Sequence, residues 1–425
     1  MIRPVIGFDN YFYNARTQMC TVLRINNPKD VAPIAELLSK KVLAFQIGTD
    51  GKILYKNPQG VPIYEVPHID DNERLSHYFL KRHTRPYSIA LGAIGVNDNS
   101  IVFNCNHMLG DGGYMKFIIE ELSKGNNTPL VNDMPTSAET VFSQQIADAP
   151  DTAEPLYCDT HTTNFISKDI HGVNSDQFAR LFISHFPTDS IKCYNPQTKK
   201  VKGLTESIFS NFYASIVAYN SDSLKFGISA MVDLRRYTNN RNWNESCNFS
   251  LVDVTARVSP KDTMVTIGKK IRESLTARLN DGSCFSFLRS LYEGKSGPGF
   301  RGMRLAISNV GPIKVGGPIA DAYLGYSQTE QSDAHNLMLV SWSIVGNGRN
   351  DTTFRLIYNS SKCSTREAEL ISASTIWAMQ NIDTSRTLEQ TLNDIRQFQN
   401  QWLKEHKSNV LKVIPPTFPT YKYVQ

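Results

Sequence analysis

The chain has 425 residues, 40% of them hydrophobic and 20% charged, with a formal net charge of +5, the make-up of a globular protein long enough for two domains. No run reaches the roughly 18 consecutive apolar residues of a membrane helix, the N-terminus lacks the basic-then-apolar layout of a signal peptide, and no basic block interleaved with aromatics points to nucleic acid. Seven cysteines without a Cys-x-x-Cys pair argue for free thiols in a reducing, cytoplasmic compartment and against a structural zinc site or a disulfide framework.

In chain order, residues 17–25 read as a strand, and Asp30 as the cap of a helix carrying Val31, Ile34, Leu37 and Leu38 on one face. Strand-like runs follow at 43–46, 53–56 and 63–66, separated by turns at Asp50-Gly51 and Pro58-Gln59-Gly60. A helix is predicted over 73–81, then strands over 87–94 and 101–106 around the turn-forming Asn97-Asp98-Asn99.

The stretch 101–113 then combines three signals. Ile101, Phe103, Cys105 and His107 share one parity, so a period of two puts His107 on the face of three small or apolar residues. Gly110, Gly112 and Gly113 allow a sharp turn. Beyond it Met115, Ile118, Ile119 and Leu122 form the stripe of an amphipathic helix that closes the first half near Lys124.

Residues 125–163 lose periodicity and fill with Asn, Pro, Asp, Thr and Ser, the composition of a linker. The second half alternates again: helix 205–219, strands 225–234 and 249–258, helix 263–279, and strands 303–308, 337–344 and 353–358. Ser364-Thr365-Arg366-Glu367 is a capping box before a helix bearing Leu370, Ile371, Ala373, Ile376 and Trp377. A final helix over 388–405 turns Leu392, Ile395, Phe398 and Trp402 inward, and the tail around Pro415, Pro416 and Pro419 cannot be helical. The mixture predicts two α+β lobes: residues 1–124, with part of the crossover, as an N-terminal lobe; 125–163 as the crossover; and 164–425 as a C-terminal lobe.

A histidine and an aspartate four apart are weak as a signal. His185-Phe186-Pro187-Thr188-Asp189 has the same spacing, but it encloses a proline and joins no strand to a helix. At His107 and Asp111 the strand, the glycine turn and the helix carry the inference. Here the residues resemble a known superfamily. Asn106-His107-Met108-Leu109-Gly110-Asp111-Gly112 is similar to the His-x-x-x-Asp-Gly motif of the coenzyme A-dependent acyltransferases. These include chloramphenicol acetyltransferase, the plant acyltransferases named BAHD, fungal alcohol acetyltransferases and the condensation domains of peptide synthetases. Val232-Asp233-Leu234-Arg235 resembles the family's Asp-x-Arg segment, and Ser308-Asn309-Val310-Gly311 its Ser-Asn-x-Gly stretch. The strand Leu356-Ile357-Tyr358-Asn359 and the capped helix after it resemble the late strand–helix pair, so the likeness runs from about residue 8 to about 405. Asn106 stands where condensation domains carry the first histidine of a pair, which points to the coenzyme A enzymes. The Asp-Phe-Gly-Trp-Gly motif of the plant clade is absent.

The resemblance implies two chloramphenicol-acetyltransferase-like lobes, each a mixed sheet with flanking helices, and a channel between them. It implies acyl-CoA as co-substrate, no metal, and a small alcohol or amine as acceptor. His107 would be the general base that takes the acceptor's proton. Asp111, with its chain turning outward, would be structural and paired with Arg235. Gly112 and Gly113 would leave room for the pantetheine arm, and Ser308 or Asn309 would supply the oxyanion donor. The two-lobe reading lets a monomer suffice.

The alternatives are transfer from a carrier-protein thioester and a catalytically silent binding module of the same fold. For His107 the bland reading is a strand-end histidine satisfied by hydrogen bonds. Lys199, Lys200 and Lys202 suit coenzyme A phosphates or a solvated charge run, and the run is favoured. Cys105 and Cys158, near His107 and His161, suit a thiol–imidazole couple or burial as small apolar residues, and burial is favoured.

Overall fold

The motif strand carries Ile101, Val102 and Phe103 in succession, β-branched and aromatic residues that suit a sheet. In the computed structural model Ser100–Asn106 is a strand with all seven residues buried. The structure describes residues 2–57, 61, 63–83, 87–125, 134, 136–150, 163–169, 172, 179–220, 225–238, 248–293, 303–327 and 336–406. Cys158, His161, most of the crossover and the tail prolines lie outside them.

Two sheets carry the fold. The first has five strands in the order Ile319–Ser327, Gln18–Ile25, Ser100–Asn106, Gly92–Asn97 and Ile63–Glu65. All its pairings are antiparallel except the last. The main path of the second runs Phe249–Arg257, Lys225–Asp233, Met303–Lys314, Asn336–Gly346, Arg349–Asn359 and Ala179–Pro187, with parallel pairing only around Met303–Lys314. Each sheet is thus mixed and flanked by helices, the expected α+β architecture. Ile319–Ser327 crosses over: the second half of the chain donates this edge strand to the first sheet. The motif helix, Gly112–Ser123, packs against both Met303–Lys314 and the crossing strand, so the motif is clamped where the sheets meet. Buried apolar residues of both halves form one continuous cluster.

Several local expectations match. The capping box at Ser364 is present, with Ser364 Oγ accepting from the Glu367 N–H at 3.2 Å and the Glu367 carboxylate accepting from the Ser364 N–H at 2.9 Å. The last helix is Leu388–Glu405, with Leu392, Ile395 and Trp402 buried and Phe398 stacked on Trp377 at 5.0 Å.

Others do not. Leu43–Gln46 is a 3₁₀ turn. The run 87–94 becomes a strand only from Gly92. The Asp30 side chain makes no cap bond to Val31–Lys41, because a 3₁₀ turn over Pro28–Asp30 precedes that helix. Asn27 caps the turn instead, its side chain accepting from the Lys29 N–H. The stretch 125–163 is no bare linker: it contains the short helices Ala138–Val141 and Ser143–Ala147. The helices Gly7–Ala15 and Ser283–Tyr292 and the strands Ala179–Pro187 and Ile319–Ser327 were not expected. Gly7–Ala15 spans little more than two turns and is rich in Asn and Tyr, residues of modest helix propensity. At that length the helix depends on packing, although Phe8, Tyr11, Phe12 and Ala15 do recur at helical spacing.

Candidate active site

His107 lies one residue beyond the motif strand, in a turn, and its N–H still donates to the Thr17 carbonyl at 2.9 Å. Asn106 shapes that turn. Its side-chain carbonyl accepts from the Met108 N–H at 3.0 Å, and its amide donates to the Tyr87 hydroxyl at 2.9 Å. The parity argument did not decide where the imidazole goes, since both faces of the strand are buried and alternation carries no sidedness there. The ring stacks on Phe12 of Gly7–Ala15, with centroids 4.2 Å apart and planes 9° apart. On another side it meets Phe249, the first residue of a second-sheet strand, at 5.3 Å. His107 therefore sits between the two sheets, partly exposed.

Burial pushes the His107 imidazole down to about 4. A hydrogen bond to its own main chain and the charge of Asp111 oppose this, and the Arg355 charge adds to it. The side chain is a neutral base at neutral pH.

Asp111 faces away from the imidazole. It is the N-cap of the motif helix: Oδ1 accepts from the Tyr114 N–H at 2.7 Å. Oδ2 accepts from the Asn248 N–H at 2.8 Å and lies 3.1 Å from Arg235 Nη2, with both side chains about 5% exposed. Arg235 Nη1 reaches the half-exposed Asp233 at 3.2 Å. Asp111 thus ties the first-half motif to the second half at two points, and one of them is the residue before Phe249. Two glycines make this approach possible. A Cβ on Gly113 would lie 2.9 Å from Arg235 Nη1, and one on Gly112 would lie 2.9 Å from Val310 Cγ2. Both are helical, so what they supply is the missing Cβ rather than unusual φ. Gly113→Ala is expected to displace Arg235 and to lower stability by about 1–3 kcal/mol, despite alanine's better helix propensity. A urea midpoint equal to or above wild type would show that the ion pair yields without cost.

Ser308 and Asn309 lie on Met303–Lys314 where its register with the next strand shifts, between Asn309 and Gly311. Asn309 is committed to that bulge. Its Oδ1 accepts from the Gly311 N–H at 3.0 Å and from Ser341 Oγ at 3.2 Å, and its Nδ2 donates to Thr205 Oγ1 at 3.1 Å. Gly311, at φ +78°, adopts a conformation other residues resist. Ser308 shares with His107 a cavity of about 150 Å³ between the sheets. The cavity brings together His107, Asp111, Gly112, Gly113, Arg235, Ser308 and Asn309, the seven residues to which the resemblance gave a role at the site.

Its remaining walls are mostly apolar: Met19 and Leu324 from the first sheet, Met231, Met338, Val340 and Ile357 from the second. Phe12, Phe249, Tyr326 and Arg355 at this site were missed. An arginine inside the apolar run Phe354-Arg355-Leu356-Ile357 was a signal that could have found one of them.

Cys105 is buried and its thiol is pushed up by desolvation. Lys199, Lys200 and Lys202 are exposed, at the small hairpin of Tyr194–Asn195 and Lys200–Val201. His185 hydrogen-bonds Thr353 Oγ1 at 2.9 Å, on a strand of the second sheet. Among the described residues no group of three or more His, Cys, Asp or Glu could hold a metal ion, and no helix is long and apolar enough to cross a membrane.

No protein-family model and no curated protein matches the chain. Solved structures do. The epimerization domain from the third module of tyrocidine synthetase B superimposes with a TM-score of 0.62 at 11% identity, covering 93% of this chain and 97% of that one. Polyketide synthase associated protein 5 from Mycobacterium tuberculosis gives 0.60 at 12% identity, with 90% and 98% covered. The starter condensation domain of rhizomide synthetase, as a double mutant in complex with C8-CoA and Leu-SNAC, gives 0.59 at 10% identity, with 91% and 96% covered. Over some nine-tenths of its length the chain therefore has the two-lobed fold of these condensation and epimerization domains.

Proposed function

We propose that the protein is an acyltransferase that moves an acyl group from a coenzyme A thioester to a hydroxyl or amine, with His107 as general base. The observation that carries this reading is the placement of a neutral imidazole between the two sheets, in one cavity with Ser308. The starter condensation domain of rhizomide synthetase, solved in complex with C8-CoA, supports an acyl-CoA as the donor.

The main-chain hydrogen bond that raises the ring's pKa requires a ring N–H donating to a carbonyl. In this reading Nδ1 makes that bond and Nε2 carries the basic lone pair. In the reaction Nε2 takes the acceptor's proton as its oxygen or nitrogen bonds the thioester carbonyl carbon. The resulting oxyanion is stabilised by the Ser308 hydroxyl. As it collapses, the C–S bond breaks and the thiolate recovers the proton from the imidazolium. Burial penalises an isolated imidazolium, so His107 accepts the proton chiefly when the oxyanion forms beside it. Asp111 and Arg235 take no part in the proton transfer; they hold the loop.

The depressed pKa has a direct consequence. kcat/KM is expected to stay level from pH 8 down to about 5 and to fall only near pH 4, where the imidazole protonates. A limb near the ordinary value of about 6.5 would contradict the buried setting. The test of the function is release of free coenzyme A from a panel of acyl-CoA donors mixed with alcohols and amines, with products weighed by mass spectrometry. Turnover dependent on both partners supports the reading. No turnover with any pair overturns it.

A further inference from the structure

The cavity holds two buried arginines in opposite electrostatic situations. Arg235 is met by Asp111 and Asp233. Arg355, on Arg349–Asn359, is 2% exposed and has no carboxylate within ion-pair distance among the described residues. Its Nη1 donates to the Leu324 carbonyl at 2.9 Å, and its buried Nε has no partner. The guanidinium lies near the rings of Tyr326 and Trp342, at 5.4 and 5.2 Å, contacts that fix its position without neutralising it. The carboxylate whose charge reaches it is Glu73, from beyond ion-pair distance, and Asp233 is half-exposed at the cavity's edge, where water screens it.

A desolvated cation with a spare donor is costly unless an anion meets it. The phosphates of coenzyme A do not suit this place. The pantetheine arm, with only neutral amides, separates them from the reacting carbonyl, whereas Arg355 lines the cavity of His107 itself. We propose that Arg355 is a substrate-recognition residue that binds a carboxylate carried next to the reacting group, on the acceptor or on the acyl chain. This names a substrate class for the proposed transfer and rests on that reading. A hydroxy acid or amino acid acceptor, or a dicarboxylic acyl thioester, would present such a group. The fork of the guanidinium is suited to grip it.

The experiment pairs each acidic substrate with its neutral counterpart in wild type, Arg355→Gln and Arg355→Lys. Lactate and glycine are set against methyl lactate and glycinamide, and succinyl-CoA against butyryl-CoA. Wild type is expected to prefer the acids. Arg355→Gln is expected to raise KM for the acidic partner about 100-fold with little change for the neutral one, and Arg355→Lys to keep part of the preference. Whether the preference falls on the acceptor or the acyl arm identifies which substrate carries the carboxylate. An equal loss of kcat on acidic and neutral substrates would make Arg355 an oxyanion or scaffold residue and overturn the proposal. So would a wild type indifferent to charge, which decides the matter even if Arg355→Gln does not fold. If no pair turns over, the transferase reading fails separately. Lactate, glycine and succinate then still test the anion site: they are expected to raise the melting temperature of wild type but not of Arg355→Gln, and no rise overturns it.

Discussion

His107→Ala is expected to cut the rate of acyl transfer by about 10²–10⁴-fold, the range general-base catalysis contributes, while the protein stays folded. An alcohol is a poor nucleophile without a base in reach, and His107 is the titratable imidazole at the cavity where both sheets converge. Loss of the ring also removes a stacking partner from Phe12 and Phe249, so part of any deficit could arise from shifted aromatics. His107→Gln separates the two effects, since it fills much of the space without supplying a base. Both variants are expected to lose activity similarly and to differ in melting temperature. Coenzyme A release followed at saturating substrate measures the first quantity, and thermal denaturation the second. A rate within tenfold of wild type in either variant would remove His107 from the chemistry. The buried Cys105, whose thiol is pushed up by desolvation, would not replace it as a nucleophile.

Asp111→Ala should produce the largest loss of stability, about 3–5 kcal/mol, because it leaves Arg235 buried with its inner partner gone. The change also removes the helix cap on the Tyr114 N–H and the acceptor of the Asn248 N–H. That last bond precedes Phe249, so the substitution loosens a ring that packs on His107, and activity is expected to fall with stability. Pairing it with Arg235→Met removes the stranded charge, and the double variant should recover part of the loss. Urea unfolding of the four proteins gives the coupling. A loss below 1 kcal/mol in Asp111→Ala, or strict additivity with Arg235→Met, would mean that the pair does not hold the motif.

The sequence by itself determined what is written within a single element. The turn from strand to helix at 101–113, the capping box at Ser364 and the last helix were legible because glycines, caps and helical periodicity act over a few residues. The likeness of ordered motifs extended this to the two-lobed fold. Tertiary structure alone decided what surrounds the imidazole. Phe12, Phe249 and Arg355 come from three distant parts of the chain and gather around the His107 cavity only through the packing of the helix Gly7–Ala15 and the order of strands in the second sheet. The exchange of Ile319–Ser327 into the first sheet likewise leaves no local trace, since an edge strand pairs through its backbone and the partner it finds is not encoded in its own alternation. The motif strand taught the same lesson in reverse. With both its faces covered, alternation along it carries no sidedness, and the side to which His107 turns was fixed by the neighbours that packed against it.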